Sequence, residues 1–243
     1  MKKLILCAII LMGFIKSDAQ KMEFWLDTGV KVQTGMSMLY NSAIGDDPNW
    51  DYTITTSTKF GGKFGINWNY TGISIDAMFG SLKGKFQNTS AAGGGDHEVR
   101  VPSADIYVLF RNARHKGYFE IGPKVSFIGD VRSEDLATGD TTDPSEYFNS
   151  NALAGVIGFG TYILGNDGRF SGILGLRFEY GFQDLVNDDG RMPSDLMNRQ
   201  PVNYIGDAAS TVPIFAGLVF ELNWGIGGVG QARCGEKSKF IWF

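Results

Sequence analysis

The strongest constraint on this chain is a two-residue rhythm, apolar then small or polar, that recurs in segments of roughly ten residues. Such alternation sends successive side chains to opposite faces of a β-strand. Eight segments carry it. The first, 24–34, sets Phe24, Leu26, Val30 and Val32 against Asp27, Gly29, Lys31 and Gln33. The second sets Phe60, Phe64, Ile66 and Trp68 against Lys59, Gly61, Lys63, Gly65 and Asn67. The third sets Ile73, Ile75, Ala77 and Phe79 against Gly72, Ser74, Asp76 and Gly80. Segments at 103–111, 119–127, 153–163, 174–182 and 212–224 repeat the pattern.

Composition agrees with strands and excludes the main alternatives. Thirty-three glycines in 243 residues argue against a helical bundle or coiled coil, because a glycine inside a helix costs about 0.8 to 1.0 kcal/mol relative to alanine. An aromatic share of 13% excludes collagen-like, linker-like and disordered chains. A formal charge of −4 argues against general nucleic-acid binding. The length suits one large all-β domain.

Residues 1–19 have the layout of a signal peptide: basic Lys2 and Lys3, an apolar run at 4–15, then small Ser17 and Ala19 before the expected cleavage. A membrane anchor fits less well, because twelve helical residues fall short of a hydrocarbon core about 30 Å thick. Cys7 has too short an apolar run before it for a lipoprotein cysteine. It leaves with the signal, so Cys234 remains alone and no intrachain disulfide is expected.

Alternation alone does not say which face meets solvent. A soluble barrel turns its bulky apolar residues inward, whereas a small membrane barrel turns them to lipid and fills its lumen with glycine and charge. Three features favour the second. Long connections at 36–52, 87–98, 130–150 and 183–210 alternate with short ones at 69–71, 112–116 and 165–169, the arrangement of membrane barrels. Phe24, Trp25, Trp68, Tyr70, Phe110, Tyr118, Phe119, Tyr162, Phe170 and Trp224 gather beside the short turns, where an aromatic girdle belongs. The long connections hold sixteen acidic residues against Arg132, Arg191 and Arg199, while the remaining mature chain is net basic.

Any backbone N–H or C=O left unpaired in lipid costs several kcal/mol, so the sheet must close on itself. The expected architecture is an all-β, eight-stranded antiparallel up-and-down transmembrane β-barrel at 20–224, with both termini in the periplasm and a periplasmic tail at 225–243. The strand count stays open, because 130–150 and 183–210 could each hold a short hairpin. A transmembrane helix over the uncharged stretch 147–166 is the rival reading. Gly155, Gly158 and Gly160 weaken it, and it would orphan the surrounding strands.

The run YFEIGPKVSF at 118–127, the glycine-spaced NALAGVIGFGTY at 151–162 and the closing IFAGLVFELNW at 214–224 resemble the PorT-like outer-membrane β-barrel family of Bacteroidota. That resemblance implies a small eight-stranded outer membrane protein. The last segment is also similar to the terminal signal read by the barrel assembly machinery, with Gly217 followed by Phe220 and Leu222. Phe215 stands where that signal usually has a polar residue, and nineteen residues follow Trp224.

Catalytic constellations are scarce. His97 in a long connection and His115 in a short turn belong at opposite ends of such a barrel. A lipid A deacylase or palmitoyltransferase needs a histidine beside a serine or carboxylate, and His97 with Ser90 and Glu98 is the sole candidate set. No zinc-ligand cluster appears, and NDDG at 187–190 lacks the spaced carboxylates of a calcium loop. No catalytic residue, cofactor or metal site is expected.

Inward positions carry both signs instead: Asp27, Lys31, Lys59, Lys63, Asp76, Asp105, Arg111, Glu120, Lys124, Arg177, Glu179 and Glu221. A lumen of eight strands is only wide enough for side chains to fill, so the pattern predicts an ion-paired plug rather than an open pore.

Three functions fit this reading. The first is a non-enzymatic barrel acting as a surface scaffold or as an accessory subunit of an envelope or secretion complex. It would dock through 183–210, with Leu185, Met192, Leu196, Met197, Tyr204 and Ile205, or through the tail ending in FIWF. The second is a barrel that binds or transports small apolar ligands or lipids beside the glycine-rich wall at 155–160. The third is a soluble secreted barrel. Outer membrane lipids, lipopolysaccharide and the barrel assembly machinery are the expected partners. Acidic loops would meet lipopolysaccharide phosphates through divalent cations, or serve only as a solvated face.

Overall fold

A computed structural model describes residues 24–45, 50–89, 96–114, 116–165, 170–187, 210–230 and 239–242. The expected signal peptide at 1–19, His115 and most of 183–210 lie outside the described residues. In chain order the strands are β1 (Phe24–Tyr40), β2 (Trp50–Thr53), β3 (Thr55–Trp68), β4 (Thr71–Asn88), β5 (His97–Arg114) and β6 (Gly117–Ile128). They continue as β7 (Arg132–Asp135), β8 (Thr141–Thr142), β9 (Asn151–Leu164), β10 (Phe170–Gly181), β11 (Val212–Gly230) and β12 (Lys239–Trp242). One helical turn, Ser42–Gly45, follows β1.

Eight of these strands close a ring in the order β1, β3, β4, β5, β6, β9, β10, β11, and β11 returns to β1. Neighbours are antiparallel and follow one another along the chain, so the fold is an eight-stranded up-and-down barrel. The closing seam runs from Phe24↔Val229 to Tyr40↔Val212. Its close approach depends on glycine. A Cβ on Gly35 would stand 2.2 Å from the Cα of Gly217, its partner across the seam.

Alternation becomes orientation in this ring. Lys31 is 1% exposed between Val30 at 51% and Val32 at 44%. Phe60, Phe64, Ile73, Ile75, Phe79, Phe159 and Phe178 likewise face outward, while Lys59, Lys63, Asp76 and Arg177 are buried inside. The parity also corrects the aromatic girdle at two positions, Tyr162, which pairs with the buried Ile173 and so shares its inward face, and Tyr118. Tyr118 faces the lumen, 5% exposed, because its chain neighbour Phe119 takes the outward position.

The barrel is taller than the alternating segments at the end with the long connections. β1 continues to Tyr40, and β4 and β5 stay paired up to Phe86↔His97, which shortens the loops expected at 36–52 and 87–98. β2 adds to the edge of β4, β7 adds to β5, and β8 pairs with β7 as a short hairpin inside 130–150. No helix among the described residues is long and apolar enough to cross a membrane, and the stretch 147–166 forms β9 instead.

At the other end, β11 does not stop at Trp224 but continues to Gly230. β10 leaves β11 at Phe170↔Trp224, and β12 pairs there with Gly227 to Gly230. The first part of the expected tail at 225–243 is thus a continuation of the wall.

Candidate functional site: a charged lumen beneath an apolar cap

Inward positions gather six cations, Lys31, Lys59, Lys63, Arg111, Lys124 and Arg177, among six anions, Asp27, Asp76, Asp105, Glu120, Glu179 and Glu221. Each comes from the small-or-polar face of its strand, so the ring alone brings them together. Near the short turns, Lys63 Nζ lies 3.1 Å from Asp27 and 2.9 Å from Glu221. Arg111 spans two carboxylates, with Nη1 2.7 Å from Glu221 and Nη2 2.7 Å from Glu120. Lys31 Nζ bridges Asp76 at 2.5 Å and Glu221 at 3.0 Å.

Arg177 occupies the middle of the lumen and is wholly buried. Its Nη2 donates to Glu120 at 2.6 Å and Asp76 at 3.2 Å, and its Nη1 donates to Gln33 Oε1 at 3.2 Å. Gln33 Nε2 in turn donates to Glu179 at 2.6 Å. Lys124 pairs with Glu179 at 2.7 Å, and Lys59 pairs with Asp105. Tyr107 donates its hydroxyl to Glu179 at 3.0 Å and lays its ring 4.9 Å from the Arg177 guanidinium. Buried charges are tolerable when paired in this way. With side chains this large inside, the described lumen is filled rather than open.

Above this layer the lumen turns apolar. Leu39, Leu82, Phe86, Val99, Val101, Val131, Phe148, Leu185, Val186 and Phe215 form one buried cluster with Ile44, and Trp50 and Tyr147 pack against it. The sequence reading missed this cap. Part of its signal lies in stretches that read as loop, with Leu39, Ile44, Val131, Phe148, Leu185 and Val186, and part in strand extensions that fall between the alternating segments and the loops, where the alternation inverts. On β4 and β5 the inward residues become Leu82, Phe86, Val99 and Val101, while the outward ones become Lys83, Lys85, Glu98 and Arg100. Those outward charges pair with one another or with a neighbour, Lys83 with Glu98 at 2.7 Å and Lys85 with Asp96 at 3.1 Å.

Of the one catalytic candidate set, the two described residues do not come together. His97 and Glu98 are consecutive in β5 and therefore face opposite ways: His97 inward, its ring 5.6 Å from Trp50, and Glu98 outward onto Lys83 and Arg100. Ser90 lies outside the described residues. Burial pushes the His97 imidazole below its ordinary pKa, while Asp135 and Asp96 pull in the opposite direction. Backbone hydrogen bonds from Ala137 and Thr138 hold Asp135 below the usual carboxylate range. Among the described residues no group of three or more His, Cys, Asp and Glu is arranged to hold a metal ion.

No protein-family model matches the chain, and no curated protein matches it. Among solved structures, the chain is similar to Neisserial surface protein A, at 12% identity and TM-score 0.35, covering 84% of this chain and 99% of that one. It is similar to the outer membrane protein OprG from Pseudomonas aeruginosa, at 11% identity and TM-score 0.34, covering 84% and 95%. The translocator domain of the autotransporter NalP from Neisseria meningitidis matches at 9% identity and TM-score 0.27, covering 92% and 95%.

Proposed function

We propose that this chain is a non-enzymatic outer membrane β-barrel, exported by the segment 1–19, that serves as a surface scaffold or as an accessory subunit of an envelope or secretion complex. The observation that carries the membrane reading is the inversion of the wall. Along β4 from Gly72 to Gly80 the outward side chains Ile73, Ile75, Ala77 and Phe79 are apolar, while the inward ones are Gly72, Ser74, Asp76 and Gly80, with Met78 the one bulky apolar residue among them. Beyond Ser81 both faces change sign. A soluble barrel has no reason to reverse its amphipathy part-way along a strand; a barrel leaving hydrocarbon for water does. The segments quoted for the PorT-like resemblance fall on β6, β9 and β11 of this wall.

A filled lumen supports a scaffold rather than a diffusion pore. Docking is assigned to 183–210 or to the tail, and assembly to the barrel machinery reading Gly217, Phe220 and Leu222. Membrane fractionation with heat-modifiable gel mobility tests the first half of the proposal, and recovery in the soluble periplasmic fraction overturns it. Copurification in mild detergent, with and without 231–243, tests the second half, and a barrel recovered alone in both cases argues against the accessory role. Binding of apolar ligands is a second reading, favoured by a groove on the outward wall.

A further inference from the structure

We propose that the outward wall carries a preformed site, centred on Gly155, for one acyl chain of an outer-leaflet membrane lipid. The proposal rests on the membrane reading above and gives the apolar-ligand reading its place and ligand class. Outward positions on β9 run Leu153, Gly155, Ile157, Phe159, so the alternation asks for a bulky residue at 155 and none is there. The register sets Gly155 between Pro123 on β6 and Tyr180 on β10. One step toward the short turns, Ile157 lies between Ile121 and Phe178, and Phe178 lies beside Ala216 on β11. Pro123 and Ala216 are therefore low points among tall neighbours, and the Phe182 ring takes the space that a side chain at 155 would fill.

The result is a groove of about 660 Å³, lined almost wholly by carbon. That volume falls within the range of roughly 300 to 1,000 Å³ usual for ligand sites. It reaches across four strands, about 14 Å at three interstrand spacings. Phe182 completes it from above. A Cβ on Gly155 would stand 2.5 Å from Phe182 Cζ, so the ring lies across the glycine, its centroid 6.2 Å from that of Tyr180. Beyond Phe182 the wall becomes polar with Gln183 and Asn151, and the Gln183 side chain accepts the Leu153 N–H at 3.1 Å. The groove thus lies just beneath the long-connection rim of the apolar band, at the depth of the outer leaflet.

This setting favours hydrocarbon over a protein partner. Protein surfaces within a bilayer adhere through interdigitated packing and hydrogen bonds, because lipid supplies no hydrophobic drive between them. The groove offers scarcely any polar atom to such a partner. A flexible acyl chain needs only contact, and a preformed trough lowers the cost of ordering it.

The test uses the full chain in phosphatidylethanolamine vesicles doped with the same lipid carrying a diazirine near its acyl terminus. After irradiation, label is expected to concentrate on 121–123, 155–157, 178–182 and 214–216. Obstructing the groove with Ala216→Leu, or with Gly155→Leu, which pushes the Phe182 ring out of its place, should each lower that yield about tenfold, equivalent to about 1.4 kcal/mol of binding. Ala77→Leu, outward on β4 and so across the ring from β9 and β10, should leave it unchanged. Heat-modifiable mobility reports whether each variant folds, and if both obstructing variants fail, the distribution of label on the unaltered chain decides. Label spread evenly around the wall, or unchanged by both obstructions, overturns the site. Cross-links joining two copies through these segments overturn it in favour of self-contact. A chain that takes no label anywhere and stays out of the vesicles sinks the membrane reading itself.

Discussion

Phe79 and Lys83 share the outward face of β4 with only Ser81 between them on that face, and between them the wall changes surroundings. Phe79 is 52% exposed and continues the line of Ile73 and Ile75, whereas Lys83 pairs with Glu98 across the β4–β5 hairpin. Inside, the exchange runs the other way, from Asp76 to Leu82 and Phe86. In the membrane barrel proposed above, the pair marks where the hydrocarbon would end on this side of the wall.

Substitutions on either side of that boundary should therefore differ sharply. Ile75→Arg is expected to cost roughly 2 to 4 kcal/mol, the usual penalty for a cation near the bilayer midplane. Lys83→Leu should stay within about 0.5 kcal/mol, as surface changes do. Denaturant titration of the barrel in lipid vesicles measures both, and equal losses would place the boundary elsewhere.

The lumen sets a second ranking. Lys124→Met leaves Glu179 with a buried charge and a lost 2.7 Å pair, and Arg177→Met takes one of two cationic partners from both Glu120 and Asp76, leaving them Arg111 and Lys31. Each should destabilise by about 3 to 5 kcal/mol, the cost of removing one member of a buried ion pair. Asp140→Asn, on the exposed β7–β8 hairpin, should leave the thermal midpoint in detergent where it was. A loop variant as damaging as either lumen variant would contradict the plug.

Conductance follows from the same filling. The intact chain in a planar bilayer should give no large, steady current, because ion-paired side chains occupy the lumen and Phe215, Phe86 and Val99 cover it. A stable open level in the unmodified chain would be fatal to that account.

The cap should also respond to acid. Because burial lowers the His97 pKa, the folded chain binds fewer protons there than the unfolded chain. This contribution to stability is complete above the unfolded value of about 6.5 and is lost as pH falls through the lower folded value. Asp96 and Asp135 oppose the shift without reversing it. Thermal midpoints taken from about pH 8 down to about pH 5 should decline in the native chain and decline less in His97→Gln. Identical slopes would remove His97 from the cap's response.

Strand positions and facing were legible because a period of two survives in residues such as Val30, Lys31 and Val32 whatever the rest of the chain does. The membership of the charged layer was legible for the same reason, but its pairings were not. Lys31 with Asp76, or Lys63 with Glu221, depends on which strands the ring makes neighbours and on side-chain reach across the lumen. The cap escapes a reading of the sequence because Leu82, Phe86, Val99 and Val101 alternate in the opposite sense to the strands they extend and so fall outside the alternating segments, while Leu39, Val131 and Leu185 lie in acidic stretches that read as loop. Tyr118 was assigned to the girdle by its position near a turn, although parity with Phe119 already turned it inward.

The lumen pairs join positions far apart in the chain: Arg177 reaches Asp76, and Arg111 reaches Glu221. Some hairpins of adjacent strands carry a pair of their own, Asp27 with Lys63 and Arg111 with Glu120, but Lys59 meets Asp105, Asp76 meets Lys31 and Arg177, and Glu179 meets Lys124 only once the ring has formed. For a barrel in lipid, as proposed above, this favours closing the last strand on the first before the wall is committed to the bilayer, since a half-built ring would leave Asp76, Lys59 and Glu179 short of partners.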